Sequence, residues 1–195
     1  MHLLPPHPCP QRSAEALCDR HLKQQLAGVA AEFSTYALRT GLASVPQGQL
    51  EQHAREFGTQ DFTSLYGFYK PTEVHEPVAE WLRDDEDHMQ WMWAYGLALM
   101  SESTRRYPDA SALQRVAMLV KRFGRLARSR GFLPGTELSG RRLSFPRAYV
   151  LPMGLSFHAD VQHYLSSRHD AWEAKPKLMW CRPIGWTHAA PPDWA

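Results

Sequence analysis

The chain has 195 residues, of which 44% are hydrophobic and 22% are charged, and its formal net charge is +2 at pH 7. It is long enough for one sizeable core and short for two, so we expect a single domain over residues 1–195. No apolar run is long enough to cross a bilayer, and the start, MHLLPPHPCP, lacks the basic segment of a signal peptide. A membrane protein is therefore not expected.

The first predicted element is a long amphipathic helix over Ser13–Ala37. Wound at about 100° per residue, it carries one apolar stripe. This stripe consists of Ala14, Cys18, Leu22, Leu26, Val29, Phe33 and Tyr36. Glu15 and Asp19 lie along one side of the stripe, and His21 and Glu32 lie along the other. Because burying such groups unpaired costs several kcal/mol, we expect them either to pair inside the core or to form a site.

The sequence pattern predicts a short polar helix over residues 47–57. It predicts an irregular connection rich in aromatic residues over residues 58–77. A second long helix is predicted over residues 77–107, with a proline in its first turn. The inward residues of this helix are Trp81, His88, Met92, Tyr95 and Leu99, joined on the same side by Asp85, Glu102 and Arg106. Trp91 and Trp93 flank that face, where they either pack in the core or stack on a ligand.

A third helix is predicted over Ser111–Arg128. Its inward residues are Leu113, Val116, Val120, Phe123 and Ala127. Its outward residues are Arg115, Lys121, Arg122, Arg125 and Arg128. The segment Arg105–Arg147 holds eleven Arg or Lys against two acids, a local charge of +9, which leaves −7 for the rest of the chain. This asymmetry predicts a polyanionic partner contacted through its phosphates, and the alternative is a solvated helix face.

Residues 131–157 are interrupted by glycine and proline, and only Leu143–Val150 has the pattern of a short strand. A last helix is predicted over Ala159–Trp172. It precedes a tail rich in proline and tryptophan, which includes Trp180, Trp186 and Trp194. Together these elements predict an all-α fold, a single-domain helical bundle with an irregular Pro- and Trp-rich C-terminal segment.

No high-specificity catalytic motif occurs, neither a Walker loop nor a nucleotide-binding glycine fingerprint, HExxH or GxSxG. The three cysteines lack CxxC spacing, and no common zinc site has the spacing of the available ligands, His7, Cys9, Cys18 and His21. We therefore predict no metal, no cofactor and a reducing cytoplasm as the compartment. Asp19 with His21 is either a candidate general base with an orienting partner or a buried pair that only ties helices together.

Five short blocks, in chain order, are CPQRSAEALCDRH, EPVAEWLRDDEDHMQWMW, SESTRRY, FPRAY and PPDWA. They resemble a family of helical phage proteins with a Pro-x3-Ala-x3-Cys-Asp-Lys-His start, a Trp-x3-Ser-x2-Asn-x2-Trp helix, a Glu-x3-Arg-Tyr ending, a Phe-Pro block and a terminal Pro-x-Trp. This family is the phage thymidine-hypermodification amino acid:DNA transferases, grouped with the α-glutamyl/putrescinyl thymine pyrophosphorylases. The matching positions are Pro10, Ala14, Cys18, Asp19, His21, Trp81, Trp91, Glu102, Arg106, Tyr107, Phe145, Pro146 and Trp194.

The chain departs from the family pattern at three places. Arg20 stands where the family has Lys, and the pair Gln24-Gln25 replaces Lys-Met. Asp85 and His88 stand where the family tends to have Ser and Asn. These departures bear on the substrate that the resemblance implies.

The resemblance implies chemistry on double-stranded phage DNA in the host cell cytoplasm. A 5-hydroxymethyluracil base, activated by a kinase as a pyrophosphate ester at its 5-methylene, exchanges pyrophosphate for the amine of a small donor such as an amino acid. The activating 5-hydroxymethyluracil DNA kinase is then a further candidate partner. Because the base must leave the duplex stack, such an enzyme needs an aromatic pocket with phosphate-binding cations around it.

The resemblance also implies roles for individual residues. Asp19 and His21 are the candidate bases that deprotonate the donor. Glu102 or Asp85 is expected to hold the donor ammonium or to orient that base. The candidates for binding pyrophosphate are Arg20 and Arg106. The candidates for contacting the substrate base are Trp91, Trp93, Tyr107 and His88, and the candidates for the DNA backbone are Arg115, Arg122, Arg125 and Arg128.

Two other functions stay open. A helical DNA glycosylase or lyase has the same basic helices, base flipping and essential carboxylate, but it releases a free base and leaves an abasic site. A non-catalytic DNA-binding or virion-associated phage protein binds in a salt-dependent manner without turnover. Within the transferase hypothesis, addition of Cys18 to C6 of the uracil ring is a further route.

Overall fold

The computed structural model describes residues 5–134, 159, 161–167 and 193. In these ranges every regular element is a helix and no strand occurs, so the predicted all-α bundle is confirmed. The α-helices are α1 (Pro10–Glu15), α2 (Asp19–Arg39), α3 (Gln47–Glu56), α4 (Thr59–Tyr66), α5 (Glu76–Asp84), α6 (Glu86–Arg106) and α7 (Ser111–Ser129), with a 3-10 turn at Glu73–His75 before α5. Residues 161–167, inside the last predicted helix, are also helical. The predicted strand at 143–150 and the tail residues Trp180, Trp186 and Trp194 lie outside the described residues.

The prediction of one helix over Ser13–Ala37 is wrong, because α1 ends at Glu15 and α2 begins after an extended Cys18. In a continuous helix the carbonyls of Glu15 and Leu17 would accept hydrogen bonds from amides four residues later. Arg106, at the end of α6, donates to both instead. Its Nη2 lies 3.0 Å from the Glu15 oxygen and its Nη1 lies 2.8 Å from the Leu17 oxygen. A side chain distant in sequence therefore stabilises this break.

The second predicted long helix is also two helices. Asp85 separates α5 from α6 in an extended conformation, and its Oδ1 accepts a hydrogen bond from the Asp87 amide at 2.9 Å. This N-cap satisfies an amide that the start of a helix leaves unpaired. The connection predicted to be irregular contains α4, which ends at Gly67 with a φ of 64°, a conformation that favours glycine.

Helix α2 lies at the centre of the bundle and packs against α5, α6 and α7. Its predicted apolar stripe is buried along the whole length of the helix. Phe33 stacks on Phe123 of α7, with 3.9 Å between the ring centroids. Helix α6 approaches both neighbours at Gly96, where an added Cβ would lie 3.0 Å from the Phe33 ring and 3.3 Å from Val120. Glycine lets the three helices close there without a gap.

Helix α7 divides, as predicted, between an apolar and a basic face. Val120, Phe123 and Ala127 are buried in the core, whereas Leu113 and Val116, which were also predicted to face inward, are half-buried against it. The basic residues on its outer side are all exposed, namely Arg115, Lys121, Arg122, Arg125 and Arg128. No described helix is both long enough and apolar enough to span a membrane.

Candidate functional site

Arg106 is the centre of a buried ion network that joins α2 to α6. Its Nε donates a hydrogen bond to Glu102 Oε1 at 2.7 Å, and its Nη1 donates to Asp19 Oδ1 at 3.0 Å. With the carbonyls of Glu15 and Leu17, the guanidinium bonds four acceptors, and the Arg106 side chain has 0% exposure. Asp19 of α2 thus meets Glu102 and Arg106 of α6, and all three are predicted site residues.

The two carboxylates of this network differ in exposure. Glu102 is 3% exposed and also accepts hydrogen bonds from Arg105, at 2.8 Å from Nε and 2.5 Å from Nη2. Burial by itself raises the pKa of Glu102, but the hydrogen bonds from Arg105 and Arg106 outweigh it and hold that pKa below its ordinary value. The Asp19 side chain is 20% exposed, so it is the carboxylate of the two that a solute can reach.

Cys18 and His21 form a second contact in the first turn of α2. Cys18 Sγ lies 3.4 Å from His21 Nδ1, and both side chains are buried. Burial raises the pKa of the Cys18 thiol, which keeps it protonated at neutral pH and argues against its addition to a uracil ring. Arg20, between them in sequence, is half-buried.

Asp85 and His88 lie at the opposite end of α6 from the ion network. At about 1.5 Å per residue, His88 is about 21 Å along the helix from Glu102. His88 stacks on Trp81 with 4.3 Å between centroids, and its Nδ1 lies 2.8 Å from the Trp81 carbonyl oxygen. Asp85 is exposed and serves as the N-cap of α6. The structure therefore does not bring these two candidates to the network.

Trp91 and Trp93 are core residues, with exposures of 0% and 2%. Trp91 Nε1 donates a hydrogen bond to the Pro8 carbonyl at 2.7 Å. Trp93 packs on Gly124, where an added Cβ would lie 2.8 Å from the Trp93 Nε1. In this conformation neither ring has an exposed face, so of the two sequence alternatives the structure fits core packing.

An open cleft of about 650 Å³ lies between the end of α6 and α7. Tyr107, predicted to contact the substrate, lines this cleft, and Lys23 Nζ lies 3.8 Å from its ring centroid. Arg105 and Lys121 also line the cleft. Both belong to the basic segment of the sequence, and Lys121 was predicted on the outward face of the third helix, but neither was assigned to the substrate. Because Arg105 also binds Glu102, one side chain connects the cleft to the ion network.

The basic residues of α7 divide into two groups. The first group, which we call the basic row, consists of Lys121, Arg125 and Arg128, of which Arg128 also lies over the Trp93 ring at 5.8 Å. Its members follow at i, i+4 and i+7, and the row begins at the cleft. In the second group, Arg122 lies over the Phe68 ring at 4.9 Å. Arg115 is close to Tyr69, where burial raises the pKa of the hydroxyl and the charge of Arg115 opposes that rise.

A second buried polar cluster consists of Glu32, His75 and Tyr95, none of which lines the cleft. Glu32 Oε1 lies 3.9 Å from His75 Nδ1. Within the described residues, Glu32 Oε2, His75 Nδ1 and the Tyr95 hydroxyl have no hydrogen-bond partner. Burial raises the pKa of Glu32 to about 8 and lowers the pKa of His75, so both groups are neutral at pH 7. Helical periodicity predicted Glu32 at the edge of a buried stripe, whereas nothing in the sequence connects His75 with it.

Within the ranges that the structure describes, no group of three or more His, Cys, Asp or Glu residues is arranged to hold a metal ion. Comparison of the chain with protein-family models, curated proteins and solved structures finds no match. Function is therefore inferred from the side chains and from the sequence blocks that resemble the phage transferases.

Proposed function

We propose that this protein is a DNA-modifying transferase that replaces the pyrophosphate of an activated 5-hydroxymethyluracil base with the amine of a small donor such as an amino acid. The observation that carries the proposal is the meeting of Asp19, Glu102 and Arg106 in one buried network. Asp19 belongs to one block of the resemblance to the phage transferases, and Glu102 and Arg106 belong together to another. A core tolerates such charges only when they are paired. Within this pairing the Asp19 side chain stays 20% exposed, which supports a role for its carboxylate toward a bound donor.

The proposed step is a nucleophilic displacement at the 5-methylene carbon of the base. The donor ammonium first gives a proton to Asp19, the more exposed carboxylate of the network, with His21 as the second candidate base. The amine lone pair then forms the C–N bond while the C–O bond to pyrophosphate breaks. Pyrophosphate leaves with the bonding electrons, so no oxidant or reductant is needed.

Negative charge that develops on the departing pyrophosphate needs cations near it. Arg106 already bonds four acceptors and has no exposed surface, so its proposed role is to position the carboxylates of Asp19 and Glu102. Arg105 lines the cleft and is the cation proposed to bind pyrophosphate. The basic row extends this positive charge along α7 toward the DNA backbone.

The product of the reaction tests the proposal. We expect the protein, incubated with kinase-activated 5-hydroxymethyluracil DNA and a mixture of amino acids and polyamines, to yield a nucleoside heavier by one amine. Asp19→Asn should lower this turnover by about 100-fold or more, because the amide cannot accept the donor proton. Mass spectrometry of the digested DNA measures the product and identifies the donor at the same time.

Asp61→Asn is the matched control, since Asp61 is an exposed acid on α4. Circular dichroism and thermal unfolding should show both variants folded. Formation of abasic sites and free base would show that the protein is a glycosylase and not a transferase. Unchanged nucleosides with salt-sensitive DNA binding would indicate a non-catalytic binding protein.

The two groups of basic residues on α7 should contribute unequally to DNA affinity. Lys121→Gln with Arg125→Gln removes two charges from the basic row. The slope of the logarithm of the DNA association constant against the logarithm of the salt concentration should become less steep by about 2, one for each phosphate that is no longer neutralised. Arg115→Gln with Arg122→Gln removes the same charge but should change the slope less, because Arg122 lies over the Phe68 ring and Arg115 lies on the same side of α7, near Tyr69. Fluorescence anisotropy with duplex DNA from 50 to 300 mM salt, roughly, measures both slopes. Equal slopes would contradict this division.

A further inference from the structure

The cleft between α6 and α7 contains a hydroxyl that the fold does not use. Ser103 lines the cleft, is 2% exposed, and its Oγ has no hydrogen-bond partner within the described residues. A buried hydroxyl without a partner destabilises a folded protein by roughly 1–3 kcal/mol. A bound ligand that forms a hydrogen bond with such a hydroxyl would remove this destabilisation.

Ser103 differs in this respect from other hydroxyls on the helices. Ser34 and Thr35 on α2 donate to the carbonyl four residues earlier, as helical Ser and Thr commonly do. Thr104, the next residue on α6, does the same to the Met100 carbonyl at 2.9 Å, and it also lines the cleft. Ser103 and Thr104 therefore both line the cleft, and of these two hydroxyls only that of Ser103 has no partner in the part of the chain that the structure describes.

The rest of the cleft offers three further kinds of contact. The aromatic ring of Tyr107 lines it, and the Lys23 ammonium at 3.8 Å from the ring centroid fixes that ring. Apolar side chains complete the walls, namely Leu26, Met100, Leu113, Ala117 and Met118. The cations Arg105 and Lys121 lie in the same lining, and Lys121 has no ion pair within the described part of the chain.

We infer that this cleft binds a pyrimidine deoxynucleotide, with Tyr107 beside the ring of the base, the Ser103 hydroxyl on its polar edge and Lys121 on its phosphate. A nucleotide combines a flat apolar ring, a hydrogen-bonding edge and an anionic end, which are the three features that the cleft complements. A volume of about 650 Å³ is within the range of small-molecule sites. The choice of a pyrimidine rests on the proposed function, and the cleft is then the pocket for the base extruded from DNA.

Titration of the full chain with thymidine 5′-monophosphate, thymidine and inorganic phosphate tests this site by calorimetry. We expect saturable binding of the nucleotide, weaker binding of thymidine, and still weaker binding of phosphate. Ser103→Ala should weaken nucleotide binding about 5-fold, whereas Thr104→Val should leave it unchanged, because the Thr104 hydroxyl is already bonded within the helix. Lys121→Gln should weaken the binding of the nucleotide and leave the binding of thymidine unchanged.

Ala117→Phe, which fills the cleft from α7, provides a second test that does not depend on one hydrogen bond. It should abolish nucleotide binding while thermal unfolding remains cooperative. The inference is overturned if the nucleotide does not bind, or if Ser103→Ala and Thr104→Val weaken it equally. Phosphate binding as tight as that of the nucleotide would reduce the site to an anion site and also overturn it.

The inference and the proposed function fail in different ways. If nucleotide binding depends on Ser103 but no heavier nucleoside forms, the cleft is a nucleotide site and the protein is not a transferase. If Ser103→Ala and Ala117→Phe still form the heavier nucleoside with an unchanged KM for DNA, the protein is a transferase and the cleft is not its site for the base. If purine nucleotides bind as tightly as thymidine monophosphate, the site is not specific for pyrimidines.

Discussion

Arg106→Met should lower the free energy of unfolding by about 3–5 kcal/mol, since removal of one partner leaves buried charge uncompensated. The substitution deletes the hydrogen bonds to Glu102 and Asp19, and it frees the carbonyls of Glu15 and Leu17 at the break between α1 and α2. Against a total stability of about 5–15 kcal/mol for a domain, the expected loss is large. Chemical denaturation followed by circular dichroism measures it.

Arg105→Met is the matched control for this prediction. Arg105 is adjacent on α6 and also donates two hydrogen bonds to Glu102, but its side chain is 45% exposed. Because a solvated ion pair contributes little, we expect a much smaller loss than in Arg106→Met. Equal losses in the two variants would show that the buried network is not what holds α1, α2 and α6 together. Arg106→Lys should retain little of the stability, because an ammonium lacks the planar fork that reaches four acceptors.

Glu32→Gln should stabilise the protein at pH 8 by several kcal/mol and change little near pH 4. Burial raises the pKa of Glu32 from 4.5 to about 8, so the folded chain keeps a proton that the unfolded chain releases. Between these two values the unfolded state binds fewer protons, and stability therefore falls as the pH rises. A shift of this size corresponds to a penalty on the order of 5 kcal/mol above pH 8, which the neutral amide does not incur.

Unfolding free energies at about pH 4, 6 and 8 measure this effect as the difference between variant and parent. Glu80→Gln is the control, since Glu80 is an exposed residue on α5 and should show no pH-dependent difference. Tyr95→Phe removes a buried hydroxyl that has no partner among the described residues and should be neutral or stabilising. A constant difference for Glu32→Gln across this pH range would mean that Glu32 is ionised in the folded protein, in contradiction to its burial beside a neutral His75.

Local periodicity accounts for much of the fold. The stripes predicted on α2 and α6 are buried, and the basic side of α7 is exposed. These predictions hold because a helix turns by a fixed angle, so spacing alone decides which residues share a face. The break at Asp85 also had a local signal, an acid at the N-cap followed by Glu86 and Asp87 in the first turn.

The break after Glu15 had no such signal, because its cause is a side chain far along the chain. Arg106 binds carbonyls that local helix formation would have used, and only the packing of α1 against α6 brings it there. Trp91 and Trp93 illustrate the same limit. Their composition suits both a core and a ligand pocket, and the choice depends on the Pro8 carbonyl and on Gly124.

The sequence by itself determined the helical class, the buried faces and the charge of α7, since each depends on residues a few positions apart. It also indicated that Asp19, Glu102 and Arg106 needed partners, because burial of charge is unfavourable. Only the tertiary structure decided that they are partners of one another and that Asp85 and His88 lie elsewhere. The cleft with its unpaired Ser103 hydroxyl likewise exists only where α6 and α7 meet, because a cavity is a property of packed elements and has no periodicity in the chain.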